Sequence, residues 1–236
     1  MSKVKDIDKI HKHKNLSIAK ISSLIDDFME IDPMKADKFC YWLDNYSEFL
    51  GYENKFNPRN LKRYKRGEVV KAHLGFKIGS EEGGLHYCIV LDKDNALSSP
   101  IITVVPLTSL KSNKDINNLR KGELYLGNSL YQTLKNKYDK LLKKIVDKTM
   151  NITEDNNNDG NLQEIENYIA LAKNICTEID RMKSGSIALI GQITTISKIR
   201  IYDPKNKYDV LANVRLPNEA LDKIDNEIEK LFIGKK

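Results

Sequence analysis

Residues 66–109 read RGEVVKAHLGFKIGSEEGGLHYCIVLDKDNALSSPIITVVPLTS, and this stretch decides the fold. Its apolar runs are short and rich in β-branched side chains, as in residues 87–91 (YCIVL) and 101–107 (IITVVPL). Such runs predict strands that are buried on both faces. Residues 68–74 alternate in part and predict a strand before them, with GSEEGG (79–84) as the loop between the first two strands.

Three more strands are predicted further along, at residues 121–126, 186–193 and 198–202. Between them, residues 129–183 carry apolar side chains at helical spacing in two segments, separated by the turn-forming sequence TEDNNNDG (153–160). This pattern predicts an antiparallel helical hairpin inserted into a loop of the sheet. Several short strands joined by loops favour a small barrel over a parallel sheet.

Both ends of the chain predict further helices. Residues 1–14 are polar and Lys/His-rich, which predicts a disordered basic tail. Apolar side chains at 16–29 and at 33–50 predict two helices that pack as a hairpin. Pro217 opens a last amphipathic helix. The predicted division is therefore 1–62 as an N-terminal tail and helical extension, 63–128 with 184–236 as the barrel, and 129–183 as the inserted hairpin.

Composition narrows the class of partner and the compartment. Lys and Arg number 39 against 33 Asp and Glu, so the net charge is +6. This excess favours a polyanion such as nucleic acid, although an ordinary solvated surface explains it equally well. The three cysteines are far apart and the four histidines are scattered, so no disulfide framework, metal site or cofactor is predicted. Without a signal peptide or an apolar run of membrane length, the predicted location is the cytoplasm.

Several blocks of the sequence resemble the MazF/PemK toxins. They are residues 66–75 (RGEVVKAHLG), 78–84 (IGSEEGG), 89–109 (IVLDKDNALSSPIITVVPLTS) and 186–201 (SIALIGQITTISKIRI), in the family's order and near its spacing. The match covers about half of the chain, and both helical hairpins lie outside it. The resemblance implies an α+β fold: a small SH3-like β-barrel with a C-terminal helix, here with two helical additions.

The resemblance also implies a function. Such toxins are metal-independent endoribonucleases of type II toxin–antitoxin pairs, which cut single-stranded RNA, often messenger RNA. They usually form homodimers and are held inactive by an antitoxin with an acidic tail. Two alternatives remain open: an inert relative that binds nucleic acid or protein as a regulator, and a toxin of the same fold that acts on a protein.

Three candidate catalytic residues follow from this resemblance. Thr108 matches the family's active-site threonine, whose hydroxyl can hydrogen-bond a phosphate oxygen. Ser80 lies in the glycine loop, where the small residues Gly79, Gly83 and Gly84 let main-chain amides approach a phosphate. His86 stands where the family usually has arginine. Histidine loses the bidentate fork but titrates near neutrality, so this change either preserves cleavage by another proton route or weakens the site.

Other side chains are candidates for supporting roles. Gln192 matches the family and is predicted to be structural, Thr194 replaces another usual arginine, and Glu81 or Glu82 is a possible base, with a solvated loop carboxylate as the ordinary interpretation. The candidate RNA-binding cations, for which a solvated face is also the ordinary interpretation, are Arg66, Lys111, Arg120, Lys121, Lys198 and Arg200.

Overall fold

The computed structural model describes residues 6–111, 114–150, 159–182 and 185–234. Contacts divide the chain into two compact units, Met1–Asn54 and Lys55–Lys236. No helix within these described residues is both long enough and apolar enough to cross a membrane.

The first unit is built from two helices, α1 (Ile7–Ile31) and α2 (Pro33–Glu53). Each begins at an aspartate, because the carboxylates of Asp6 and Asp32 accept hydrogen bonds from free backbone N–H groups of the first turns. The prediction of a disordered tail over 1–14 is therefore wrong from residue 7 onward. The Asp6 cap starts a helix that the Lys/His-rich composition concealed.

The α1–α2 hairpin has very little core. Phe28 of α1 meets Phe39 of α2 edge to face, with ring centroids 5.9 Å apart. Ala36 is the one residue of these two helices that is classed as buried. Many of their large apolar side chains stay exposed, so the seam between the two helices is thin.

The second unit is organised by a sheet of seven antiparallel strands. Hydrogen-bonded neighbours follow the order β4-β5-β3-β2-β1-β7, with β6 also paired to β3. No pairing joins the outer strands β4 and β7 in the described part of the chain, so the sheet is not a closed barrel. The expected α+β class is confirmed, with helices added to this open sheet. The strands are β1 (Val69–His73), β2 (Leu85–Val90), β3 (Ile101–Ser109), β4 (Glu123–Tyr125), β5 (Ser186–Leu189), β6 (Thr194–Ser197) and β7 (Ile201–Asp203).

Strand β3 is the centre of this sheet. Its first half pairs with β6 and its second half pairs with β5, while β2 runs along its other edge. One strand thus serves two halves of the sheet and carries apolar side chains into two core clusters, as its near-continuous β-branched sequence predicts. Because these pairs are antiparallel, the C-terminal end of β3 lies next to the N-terminal ends of β2 and β5, at one end of the strands.

The late strands differ from their prediction. The strand expected over 186–193 ends at Leu189 and gives way to a 3-10 turn, Ile190–Gln192. The strand expected over 198–202 begins instead as a second 3-10 turn, Lys198–Arg200, because the Ser197 hydroxyl accepts a hydrogen bond from a backbone N–H at its start. The Thr/Ser-rich segment between these turns forms β6, which no apolar run signalled.

The predicted inserted hairpin is present as α3 (Ser129–Met150) and α4 (Asp159–Arg181). It lies between β4 and β5, which pair with each other. Most of its predicted turn, TEDNNNDG (153–160), lies outside the described residues. The chain closes with α5 (Asn218–Ile228) directly after Pro217, followed by a π-helical turn. We propose the division into a core of 63–128 with 184–236 and an insertion of 129–183 for this unit.

Candidate active site at the glycine loop

The glycine loop, residues 74–84, joins β1 to β2 and is closed at its base by two backbone hydrogen bonds. Leu74 donates to the Gly84 carbonyl at 2.7 Å, and Gly84 donates to the Gly75 carbonyl at 2.8 Å. A Cβ atom at Gly83 would lie 2.6 Å from the Gly75 oxygen, so this close approach requires glycine. Ser80 and Gly79 lie at the exposed tip of the loop.

Gln192 ties the loop to the rest of the sheet. Its amide oxygen accepts a hydrogen bond from the Glu82 N–H at 2.5 Å, and its amide nitrogen donates to the Ser80 carbonyl at 3.2 Å. These two bonds span 110 and 112 positions of sequence. The predicted structural role of Gln192 is confirmed: its side chain holds the glycine loop in place.

His86 lies on β2 directly after this loop, with both ring nitrogens engaged. Nδ1 is 3.1 Å from the Leu107 carbonyl oxygen, and Nε2 is 3.1 Å from a carboxylate oxygen of Glu82. Each ring nitrogen thus has an oxygen of another residue within hydrogen-bond distance. The side chains of His86 and Glu82 are each 25 % exposed. The site therefore places an imidazole in contact with a carboxylate where the resembling family has arginine.

Thr108 lies beside His86 on the neighbouring strand. The β2–β3 register pairs Cys88 with Pro106, and two residues further along it brings His86 opposite Thr108. Cross-strand neighbours have Cβ atoms about 5 Å apart and point to the same face. Both residues are partly exposed rather than sealed in the core. The His86 ring contacts the carbonyl of Leu107, the residue directly before Thr108, so the two residues on which the sequence-based hypothesis depends lie on adjacent strands at the same end of the sheet.

A second histidine, His73, stands at the end of β1 close to this pair. Burial, and then the charges of Arg200 and His86, hold the pKa of His73 below its usual value. Its Nδ1 accepts a hydrogen bond from the Gly75 N–H at 3.1 Å, which leaves the proton of the neutral ring on Nε2. His73 is therefore a neutral side chain that supports the base of the glycine loop.

The predicted cations fall into two groups. Arg200 is at the site edge, where its Nε donates to the His73 carbonyl at 2.7 Å. Lys111 is exposed just beyond the end of β3, and Arg120 and Lys121 are exposed before β4.

The structure places two predicted RNA-binding residues away from the glycine loop and His86. Lys198 is 1 % exposed and donates to the Ala96 carbonyl at 3.0 Å, so its ammonium group is inside the protein. Arg66 lies at the far end of β1, six residues from the position paired with His86, which is about 20 Å along an extended strand. There it bonds the Leu91 carbonyl and Asp225 of α5.

Two neighbours of His86 in the structure, Glu82 and His73, were not among the three catalytic candidates predicted from the sequence. Glu82 was one of two loop carboxylates without a distinguishing signal, and its four-residue separation from His86 means nothing outside a helix. His73 was unremarkable at the end of a strand. Among the described residues, no group of three or more His, Cys, Asp or Glu side chains is arranged to hold a metal ion.

These features define a class of protein: an α+β protein on an open antiparallel sheet, whose glycine loop, histidine and threonine meet at one sheet edge. Residues 65–128 match the family described as PemK-like, MazF-like toxin of type II toxin-antitoxin system. This segment of the chain is therefore similar to that toxin family, and the inserted hairpin and the N-terminal helices lie outside the matched residues. No curated protein matches the chain.

Proposed function

We propose that this protein is the toxin of a type II toxin–antitoxin pair and a metal-independent endoribonuclease that cuts single-stranded RNA. The observation that supports this most is the pairing of His86 with Glu82 beside Thr108, at the exposed edge of a family-matched sheet. An imidazole and a carboxylate are groups that can serve as the acid and the base of phosphodiester transfer.

The proposed reaction is an in-line attack of the ribose 2′-oxygen on the adjacent phosphorus. Glu82 accepts the proton of the 2′-hydroxyl, and His86 donates a proton to the leaving 5′-oxygen as its bond to phosphorus breaks. The products are a 2′,3′-cyclic phosphate and a free 5′-hydroxyl. The proton then passes from Glu82 to His86 across their 3.1 Å contact, which restores the starting pair.

Other groups stabilise the charge on the pentacoordinate phosphorus. The Thr108 hydroxyl donates to a phosphate oxygen, as do main-chain amides at Gly79 and Ser80 of the glycine loop. Arg200 and Lys111 add positive charge along the path of the RNA backbone. Single-stranded RNA is the substrate because its backbone can rotate into the in-line geometry.

The partners follow from the same proposal. An antitoxin with an acidic segment covers this basic, partly exposed edge, and the active toxin is a cytoplasmic homodimer. A net charge of +6 supports both the RNA and the acidic antitoxin as partners.

The test is cleavage of a long single-stranded RNA by the purified protein in EDTA. Wild type yields discrete fragments with 5′-hydroxyl ends, which a polynucleotide kinase labels without prior phosphatase treatment. His86→Ala and Glu82→Gln lower the rate by about 10²–10⁴, the usual contribution of general acid–base catalysis. Lys230→Ala, at an exposed lysine near the C-terminus, serves as the matched control with an unchanged rate.

Three outcomes refute the proposal in different ways. RNA bound but uncut identifies a regulator, and intact unbound RNA with arrested growth identifies a toxin that acts on a protein. Equal cutting by wild type and His86→Ala removes the histidine from the mechanism.

A further inference from the structure

A cavity of about 940 Å³ lies where the first turns of α3 meet the segment between β7 and α5. We call it the α3 pocket; its charged lining residues are Lys137, Lys140, Lys207 and Arg215. It shares no lining residue with the glycine loop, His86 or Thr108. Because α3 belongs to the inserted hairpin, this pocket exists only through the insertion.

The charge of the α3 pocket is one-sided. All four of its charged lining residues are cationic, and none of its fourteen lining residues is acidic. None of these four cations takes part in an ion pair within the described residues. Arg215 bonds only neutral oxygens, those of the Arg66 backbone and the Asn218 side chain. Lys207 also contacts the neutral ring of Tyr208, 4.8 Å from its centroid. The lining of the pocket therefore presents positive charge to a ligand with no carboxylate of its own.

Lys137 fixes the floor of the pocket. Its ammonium group donates to three backbone carbonyls, those of Asp209 at 3.1 Å, Val210 at 2.7 Å and Ala212 at 2.8 Å. These bonds clamp the segment after β7 onto α3. Burial lowers the pKa of Lys137 to about 8, against the opposing charge of Asp203.

The two aspartates behind this floor do not face the pocket with free oxygens. Asp203 accepts from the backbone N–H groups of Val210 and Leu211, and Asp209 accepts from those of Lys205 and Asn206. Their charges are thereby held within the turn of the chain. The open rim is left to Lys140, Lys207 and Arg215, all of which are exposed.

Polar groups around the rim suit a ligand that has both phosphate and hydrogen-bonding edges. α3 carries no acidic residue in its first turn, so the positive end of its dipole adds to the cations. The side-chain amides of Gln132 and Asn136 offer paired donors and acceptors. Asn213, also in the lining, has a φ of +60°, a conformation that non-glycine residues adopt at a cost and that clusters at functional sites.

We propose that the α3 pocket binds a nucleoside phosphate, with Lys140, Lys207 and Arg215 on the phosphate groups and the amides of Gln132 and Asn136 on the base or sugar. Its volume lies at the upper end of the roughly 300–1,000 Å³ of small-molecule sites. That room accepts a free mononucleotide or one to two nucleotides of a longer RNA strand. The proposed site is separate from the cleavage site, since none of its lining residues belongs to the glycine loop or is His86 or Thr108.

The experiment measures binding by the full-length protein to two probes, AMP and a fluorescein-labelled 2′-O-methyl oligoribonucleotide. The second probe has no 2′-hydroxyl nucleophile, so its binding is independent of cleavage. The test variant is Lys140→Ala/Lys207→Ala. The matched control is Lys143→Ala/Lys230→Ala, which removes two exposed lysines outside the pocket. Thermal melts of both double variants establish that they fold.

The test variant is expected to lose at least about tenfold in affinity for one of the probes, while the control retains wild-type affinity. For the oligonucleotide, the slope of log affinity against log salt falls by about 1.4, the loss expected for two contacts on a single strand. A loss confined to AMP identifies a free-nucleotide site, and a loss for the oligonucleotide identifies an RNA-strand site. If the test variant and the control bind both probes alike, the pocket is not a nucleotide site. That result would leave cleavage through His86 untouched.

Discussion

The contact that holds the inserted hairpin to the sheet gives the sharpest stability prediction. Glu178 of α4 accepts hydrogen bonds from Lys71 of β1, at 2.6 Å, and from the hydroxyl of Tyr87 on β2. The side chains of Lys71 and Glu178 are 23 % and 14 % exposed, so the pair is largely shielded from water. Glu178→Gln keeps the shape and one acceptor oxygen but removes the charge.

The expected loss follows from the strength of these bonds. A hydrogen bond to a charged partner contributes about 1.5–3 kcal/mol, and a neutral one about 1 kcal/mol. Removing the charge from a largely buried pair therefore lowers the free energy of unfolding by about 2 kcal/mol. For a protein of this size each kcal/mol shifts the Tm by about 2–4 °C, so the variant should melt about 4–8 °C lower.

The assay is thermal unfolding of both proteins at neutral pH. Glu227→Gln is the matched control, because its partner Lys230 is 3.5 Å away and 73 % exposed, and its Tm should not change. A Glu178→Gln variant that melts within about 1 °C of wild type would refute the reasoning. The hairpin would then be seated by its apolar face alone.

The same pair makes a pH prediction. Burial acts to raise the pKa of Glu178, but the hydrogen bonds from Lys71 and Tyr87 outweigh it and hold that pKa below its usual value of 4.5. The unfolded chain therefore binds the proton first as the pH falls. The contribution to stability is complete above about pH 4.5 and is lost as the pH falls through the lowered pKa. The Tm difference between wild type and Glu178→Gln should shrink over that range.

Gln192→Ala removes two hydrogen bonds to the glycine loop, worth about 2 kcal/mol together, and should speed amide hydrogen exchange in the loop about 30-fold without unfolding the sheet. Unchanged exchange would show that the loop holds itself. Gly67→Ala should destabilise the protein by about 1–3 kcal/mol in denaturant unfolding, because φ is +79° and the new Cβ would lie 2.6 Å from Leu221. Wild-type stability in this variant would show that a Cβ atom at position 67 causes no strain. Burial raises the pKa of Cys88 to about 12, so iodoacetamide at pH 8 should label the partly exposed Cys40 and Cys176 first and Cys88 only on unfolding. Equal labelling of all three thiols would contradict the buried position.

The sequence predicts a strand correctly where the residues of that strand favour an extended conformation by themselves. Residues 101–107 are apolar and β-branched, and they form a strand whichever neighbour they meet. The segment Thr194–Ser197 is a strand only because β3 is beside it, and no local pattern signals that neighbour. Residues 7–14 are helical through the Asp6 cap and the continuity of α1, against a polar composition.

The same holds for the candidate site: residues that belong to a local motif were predicted, and contacts between residues distant in sequence were not. His86 and Thr108 were found because a motif fixes their places along two predicted strands. The bond from Gln192 to the loop joins residues 110 positions apart, so only the folded chain reveals it. The burial of Lys198 could not be predicted because a lysine in sequence carries no sign of burial. The carbonyl that accepts from its ammonium group, that of Ala96, belongs to a loop about a hundred residues away.

The thin seam between α1 and α2 predicts how the protein responds to limited proteolysis. Because Ala36 is the one buried residue of α1 and α2, we expect this unit to open to protease long before the sheet does. Brief trypsin treatment should therefore leave a resistant fragment that begins near residue 55 and keeps both core clusters of the sheet. RNA cleavage and antitoxin binding can then be measured for that fragment and for the intact protein. Any difference between the two is due to the N-terminal helices, because the sheet has the same residues in both.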